Sequence, residues 1–190
     1  MKQVLTSVMF LCSVGMLLTF ESDARIEEIK MRRVIDIGIG SQERDMSIEL
    51  LNGVLAGEFV LLVQTLNYHW NLEGPEFRDY HLLFDDHYKT LFEKIDEIAE
   101  RVRAVDGRAL GSMDAIIRSS TLQEDRGAVP HPKKMIENLL EQHEALIRQI
   151  RIAVNKTAEN NNDMGTSNFL TELLEKHEKI AWMLRSLAQK

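Results

Sequence analysis

From Asp45 to Leu187 apolar residues return every three or four positions, and little interrupts them: the chain has only 10 Gly and 3 Pro in 190 residues. That spacing puts the apolar side chains on one face of a 3.6-residue helix, and long runs with few breakers predict long helices. The first run carries Leu51, Val54, Leu55, Phe59, Leu62 and Leu66 and ends near Asn71. Glu73-Gly74-Pro75-Glu76 then breaks it, because neither Pro nor Gly continues a helix comfortably. A second run, from about Phe77 to Asp106, carries Phe84, Tyr88, Leu91, Ile95, Ile98 and Val102, with Gly107 placed as its C-terminal cap.

Met113 to Ile117 follows Ser112, a good N-cap, and predicts one or two helical turns. Thr121 to Pro130 reads as loop, and Pro132 suits the first position of a third long helix through Ile136, Leu139, Leu140, Leu146, Ile150 and Val154. Asn160-Asn161-Asn162-Asp163 ends it. Thr166 or Ser167 is the expected cap of a fourth, which carries Phe169, Leu173, Leu174, Ile180, Met183, Leu184 and Leu187. Strand-like alternation is not evident. The expected fold is all-α: a four-helix bundle with a short extra helix in the long connection between helices 2 and 3.

The segment before the bundle reads differently. Val4 to Phe20 is uncharged after Lys2, and Ser22-Asp23-Ala24 offers small residues for cleavage before Arg25. Residues 1–30 are therefore either a secretory leader, in which case the protein is exported, or an upstream extension before a start at Met31, in which case it is cytoplasmic. A transmembrane anchor is disfavoured by length. Residues 31–44 form an N-terminal tail and 45–190 the helical domain. The single cysteine, Cys12, excludes an intrachain disulfide and any Cys-based zinc site. A net charge of −7 suits attraction of small cations and gives no general reason to expect nucleic-acid binding.

Five residues carry metal chemistry: His69, His81, Asp85, Asp96 and Glu100. His81 and Asp85 are four apart on one helix face, and Asp96 and Glu100 repeat that relation. Mixed imidazole and carboxylate ligands suit iron, manganese or zinc better than calcium or magnesium. Asp85 and Asp96 are 11 positions apart, which is three turns with about 20° left over, so both pairs share one stripe. Yet 11 residues also separate them by about 16 Å along the axis. One straight helix therefore holds two half-sites. Two antiparallel copies of it, related by a two-fold axis, bring the His81/Asp85 end of one against the Asp96/Glu100 end of the other and close two identical sites. His69, at the end of the first helix, joins His81 and Asp85 across the Glu73–Glu76 turn.

His69-Trp70-Asn71-Leu72-x-Gly74, then Phe77, His81 and Asp85, then Asp96-x-x-Ala99-Glu100-Arg101, resemble the Dps signature of the ferritin-like proteins in identity and spacing. The resemblance covers about residues 45–188. It implies His69, His81 and Asp85 from one subunit with Asp96 and Glu100 from its dimer mate, and a hollow twelve-subunit shell. It also implies oxidation of Fe(II), preferably by hydrogen peroxide, with ferric mineral stored inside and protection against oxidative stress. Ordinary ferritins build an intrasubunit di-iron centre on Glu-x-x-His. None of the six histidines here has Glu three residues before it, which argues against that centre.

Trp70 is open between core packing and an aromatic electron donor beside the iron, and Trp182 reads as core. His87, His131, His143 and His177 have no evident ligand partners and read as surface or interface residues. Asp163, Glu172 and Glu175 suggest an acidic iron-entry pore. Thr166-Ser167-Asn168 departs from the family's usual Thr-Ala-Asp there. Some Dps proteins coat DNA with a lysine-rich tail, which gives an alternative reading as a nucleoid-compacting protein. Here Arg25 to Ser47 balances five basic residues against five acidic ones, a poor phosphate anchor.

Overall fold

The computed structural model describes residues 35–189, and residues 1–30, read as either a leader or an upstream extension, lie outside them with Cys12. Five helices follow in order: α1 (Ser41–Asn71), α2 (Phe77–Ala104), α3 (Met113–Ser119), α4 (Pro132–Glu159) and α5 (Met164–Ala188). No strand occurs among the described residues. The all-α bundle with a short helix in its long connection is therefore what the chain forms.

Hydrogen bonds between helices give the topology. Near the C-terminal end of α1, Tyr68 accepts from Asn138 at the start of α4 (2.8 Å). At the other end, Asn161 just after α4 donates to Ser47 at the start of α1 (3.1 Å). Arg101, late in α2, reaches Thr166 and Asp163 at the start of α5. Short turns join α1 to α2 and α4 to α5. Every neighbouring pair is thus antiparallel, the diagonal helices α2 and α4 are parallel, and the connection 105–131 must travel the length of the bundle. It carries α3, which packs on α1. Wrapped by α2, α3 and α4, α1 is apolar nearly all round, as a helix buried on several sides must be.

The apolar stripes read from the sequence form the core: Leu51, Val54, Leu55, Phe84, Leu91, Ile98, Ile136, Leu146 and Leu184 are all fully buried. Truncating one such Leu to Ala costs about 2–5 kcal/mol. Buried Tyr68 belongs to the same interior, and burial raises its phenol to about 12.

The helix ends differ in places from the sequence reading. α1 begins at Ser41, four residues before Asp45, because a polar first turn gives no apolar signal. The end of α2 closes with Gly107 N–H donating to Val102 O (2.8 Å) and Asp106 N–H to Arg103 O (3.0 Å). The left-handed residue is Asp106 (φ 64°), and Gly107 sits one position further on. There a glycine is needed for a different reason: a Cβ would stand 2.7 Å from Ile48 Cγ1. Ser112 caps α3 and Pro132 opens α4 as expected. α5 is capped by Asp163, not by Thr166 or Ser167: Asp163 Oδ1 accepts from Thr166 N (2.9 Å).

Three corrections concern side-chain placement. His87, His143 and His177 are not at the surface but inside the bundle, and of that group only His131 is exposed. Trp182 is exposed, because it lies about 100° round α5 from the stripe of Ala181 and Leu184. Asp163 is buried in its cap and its ion pair with Arg101, so it does not line an open acidic surface, whereas Glu172 and Glu175 are exposed.

Candidate metal centre

The turn 72–76 folds α2 back on α1. Gly74 adopts φ 126°, a region that L side chains rarely enter, and its carbonyl accepts from Phe77 N to start α2. This brings His69 and His81, 12 residues apart, into a stacked pair with ring centroids 3.9 Å apart and planes at 19°.

Each ring is held by the other's backbone. His69 Nδ1 lies 3.2 Å from the carbonyl oxygen of His81, and His81 Nδ1 lies 3.2 Å from that of His69. A carbonyl only accepts, so both Nδ1 atoms carry a proton, and in the neutral ring Nε2 is the atom with the lone pair. Neutral imidazole with Nδ1–H fixed by a carbonyl is the form that ligates metals. Phe77 stacks on His81 (4.9 Å) and Tyr88 stands edge-on to His69 (5.1 Å), limiting rotation of the pair.

Asp85 lies one turn beyond His81. Its Oδ1 accepts from Tyr88 OH (2.9 Å) and its Oδ2 from Lys89 Nζ (2.6 Å). The Lys89 hydrogen bond, then that of Tyr88, holds its carboxyl below the usual carboxylate range. Asp85 is therefore ionised at neutral pH, but an incoming cation must displace Lys89. In the sequence Tyr88 carries no site signal, and Lys89 carries only the Asp85–Lys89 spacing of four, a readable ion-pair signal.

Asp96 and Glu100 stand exposed on the same helix, with no hydrogen bond or ion pair among the described residues. The structure brings His69, His81 and Asp85 to one end of α2 and leaves Asp96 and Glu100 at the other. Among the described residues no group of three or more His, Cys, Asp or Glu side chains stands ready to hold a metal ion within one chain. Trp70, next to His69, is 70 % exposed, which removes the core-packing reading. Beside His81 α2 also exposes Leu82, and between the two half-sites it exposes Phe92.

A model of the ferritin-like domain family matches residues 48–190. A low temperature-induced protein of Nostoc sp. is 46 % identical over 155 residues, covering 82 % of this chain and 87 % of that protein. DNA protection during starvation protein 2 of Bacillus anthracis is 32 % identical over 139 residues, 73 % of this chain and 94 % of that protein. Among solved structures, the Dps protein of Vibrio cholerae O1, described as a member of a broad superfamily of ferritin-like diiron-carboxylate proteins, matches with a TM-score of 0.77. It is 28 % identical and covers 82 % of this chain and 97 % of that one.

Proposed function

Because the chain belongs to the Dps family of ferritin-like proteins, we propose that it is a ferroxidase and iron store whose oxidation site is shared between two copies. The reading rests on one observation above the others. Two stacked histidines, each with its Nδ1 tied to the other's backbone carbonyl, stand beside an ionised Asp85, while two unpaired carboxylates wait about 16 Å along the same helix face.

Fe(II), the substrate, binds to His69, His81 and Asp85 of one copy and to the partner's Asp96 and Glu100. Pairing the half-sites fixes the register: the two-fold axis falls midway between Asp85 and Asp96, so Asp85 faces the partner's Asp96 and His81 the partner's Glu100. Exposed Phe92 then lies beside the axis, against the partner's Lys89. Displacement of Lys89 from Asp85 by iron frees its ammonium to pack over that ring.

Carboxylate ligands stabilise Fe(III) over Fe(II) by charge, which lowers the potential and drives oxidation. Two Fe(II) ions give one electron each to one hydrogen peroxide, which takes up two protons and leaves as two waters, so no hydroxyl radical is released. Trp70, exposed beside His69, is placed to quench stray oxidising equivalents. The ferric product is stored inside a shell of twelve copies. The family's iron-storage and protective role and the negative net charge support this reading. The nucleoid-compacting alternative has no support in the balanced tail.

Mixed assemblies test the shared site. Asp96→Ala and His81→Ala each abolish peroxide-dependent Fe(II) oxidation followed by absorbance, and refolding them together restores activity, because one of the two sites in a mixed dimer is intact. Absence of rescue in verified mixed dimers sinks the shared site.

A further inference from the structure

Four ionisable side chains that the shared site does not use meet in the bundle interior. Glu58 on α1, His87 on α2, His143 on α4 and His177 on α5, one from each long helix, are all 2 % exposed or less. They are connected. His177 Nε2 lies 2.6 Å from Glu58 Oε1, and His177 Nδ1 lies 2.9 Å from His143 Nδ1. The His87 ring stands at 70° to that of His143, with centroids 6.2 Å apart. Among the described residues, four buried atoms here have no partner: Glu58 Oε2, both ring nitrogens of His87, and His143 Nε2. Native interiors keep very few such atoms. Four in one place mark a polar cluster inside an apolar core, and an ion held between the facing Nδ1 atoms of His143 and His177 takes up one His87 nitrogen as well.

We propose that the bundle core binds one divalent first-row transition-metal ion through His87, His143 and His177, with a water as the fourth ligand and Glu58 as the carboxylate that orients His177. A carboxylate on the far nitrogen of a ligating histidine fixes its tautomer, and Glu58 does this at Nε2, leaving the Nδ1 lone pair directed at His143. Two imidazoles sharing a tetrahedral ion at ordinary metal–nitrogen distances have ring centroids about 5.2 Å apart and facing nitrogens about 3.3 Å apart. The His143 and His177 centroids are 5.1 Å apart, with the facing nitrogens at 2.9 Å. The ion thus replaces the proton between them with a movement of about 0.4 Å, and His143 then carries its proton on Nε2. His87 must close by about 1 Å.

Burial holds His143 well below the ordinary histidine range, so its imidazole is in the neutral, ligating form. One carboxylate and three imidazoles suit a single ion, not the carboxylate-bridged pair that Glu-x-x-His helices hold. The site shares no ligand with the proposed ferroxidase centre and stands or falls independently of it.

The test uses the full chain with His81→Ala and Asp96→Ala, which disable the shared site. The protein is stripped with chelator, checked for helicity by circular dichroism and titrated with Co2+, whose visible absorption reports coordination. The expected result is one Co2+ per chain with the intense bands of a tetrahedral environment. In the same background Glu58→Gln is expected to weaken binding by about 10- to 100-fold and His143→Leu to remove it. A helical shared-site variant that retains no Co2+ overturns the proposal, with water alone then satisfying the buried atoms. So does Co2+ binding that neither Glu58→Gln nor His143→Leu alters.

Discussion

Replacing Phe92 by alanine is the sharpest perturbation of the proposed assembly, because it touches no metal ligand. Phe92 is 67 % exposed on α2 and, in the register set by the two half-sites, lies beside the two-fold axis. Fully burying a Phe side chain contributes about 1.5–3 kcal/mol, so covering the exposed two-thirds contributes about 1–2 kcal/mol per copy. The axis uses the residue twice, giving about 2–4 kcal/mol per dimer. At 1.4 kcal/mol per tenfold, Phe92→Ala raises the dimer dissociation constant by about 30- to 1,000-fold. Sedimentation velocity over a dilution series measures this, with Fe(II) oxidation assayed at each concentration. Activity should disappear at the concentration where dimers do, and return on concentrating the variant. An unchanged dissociation profile in Phe92→Ala refutes the register. Activity that survives in isolated monomers refutes the shared site itself.

Lys89→Gln removes the ammonium that occupies Asp85 Oδ2. Because the pair is solvent-exposed and worth little, Fe(II) affinity measured by anaerobic titration should rise by less than about fivefold, and a fall in affinity would show that Lys89 supports the site. Acid is expected to weaken the metal-free bundle through its buried histidines. Burial lowers His87 to about 4 and His143 well below its usual range. The unfolded chain binds these protons near pH 6.5 and the folded chain does not, so stability is full above 6.5 and declines as the pH falls toward 4. His87 alone accounts for about 2 kcal/mol between pH 7.5 and 5. Urea midpoints independent of pH over that range would contradict the burial argument.

Long, breaker-poor periodicity made the helices legible, since Leu51–Leu66, Phe84–Val102 and Ile136–Val154 can bury their stripes only against one another. Ends were less legible. Ser41–Arg44 gives no apolar signal, and Asp163 caps α5 through a side-chain bond that competes on equal terms with those of Thr166 and Ser167 in a bare sequence. At the metal centre, spacing placed His81 with Asp85 and Asp96 with Glu100, because a helix face is a local property. The reciprocal Nδ1–carbonyl bonds of His69 and His81 depend on the conformation of a turn and cannot be read from spacing. His87, His143 and His177 read as surface or interface residues in the sequence for a related reason. Each is polar and looks isolated on its own helix, and only the packing of α2, α4 and α5 against Glu58 on α1 shows that they share one interior.

The full-length crossing between α2 and α4 has a consequence for how this chain comes apart. It divides the bundle into two hairpins, α1–α2 and α4–α5, each held by contacts local in sequence and so quick to form. The exposed stretch Arg126-Gly127-Ala128 is the natural place to sever them. The first fragment keeps Glu58, His87 and the stacked His69–His81 pair, while the second keeps His143 and His177. The two pieces are complementary halves, neither able to cover its apolar face alone, and their reassociation reports the joining of one bundle separately from the pairing of two chains.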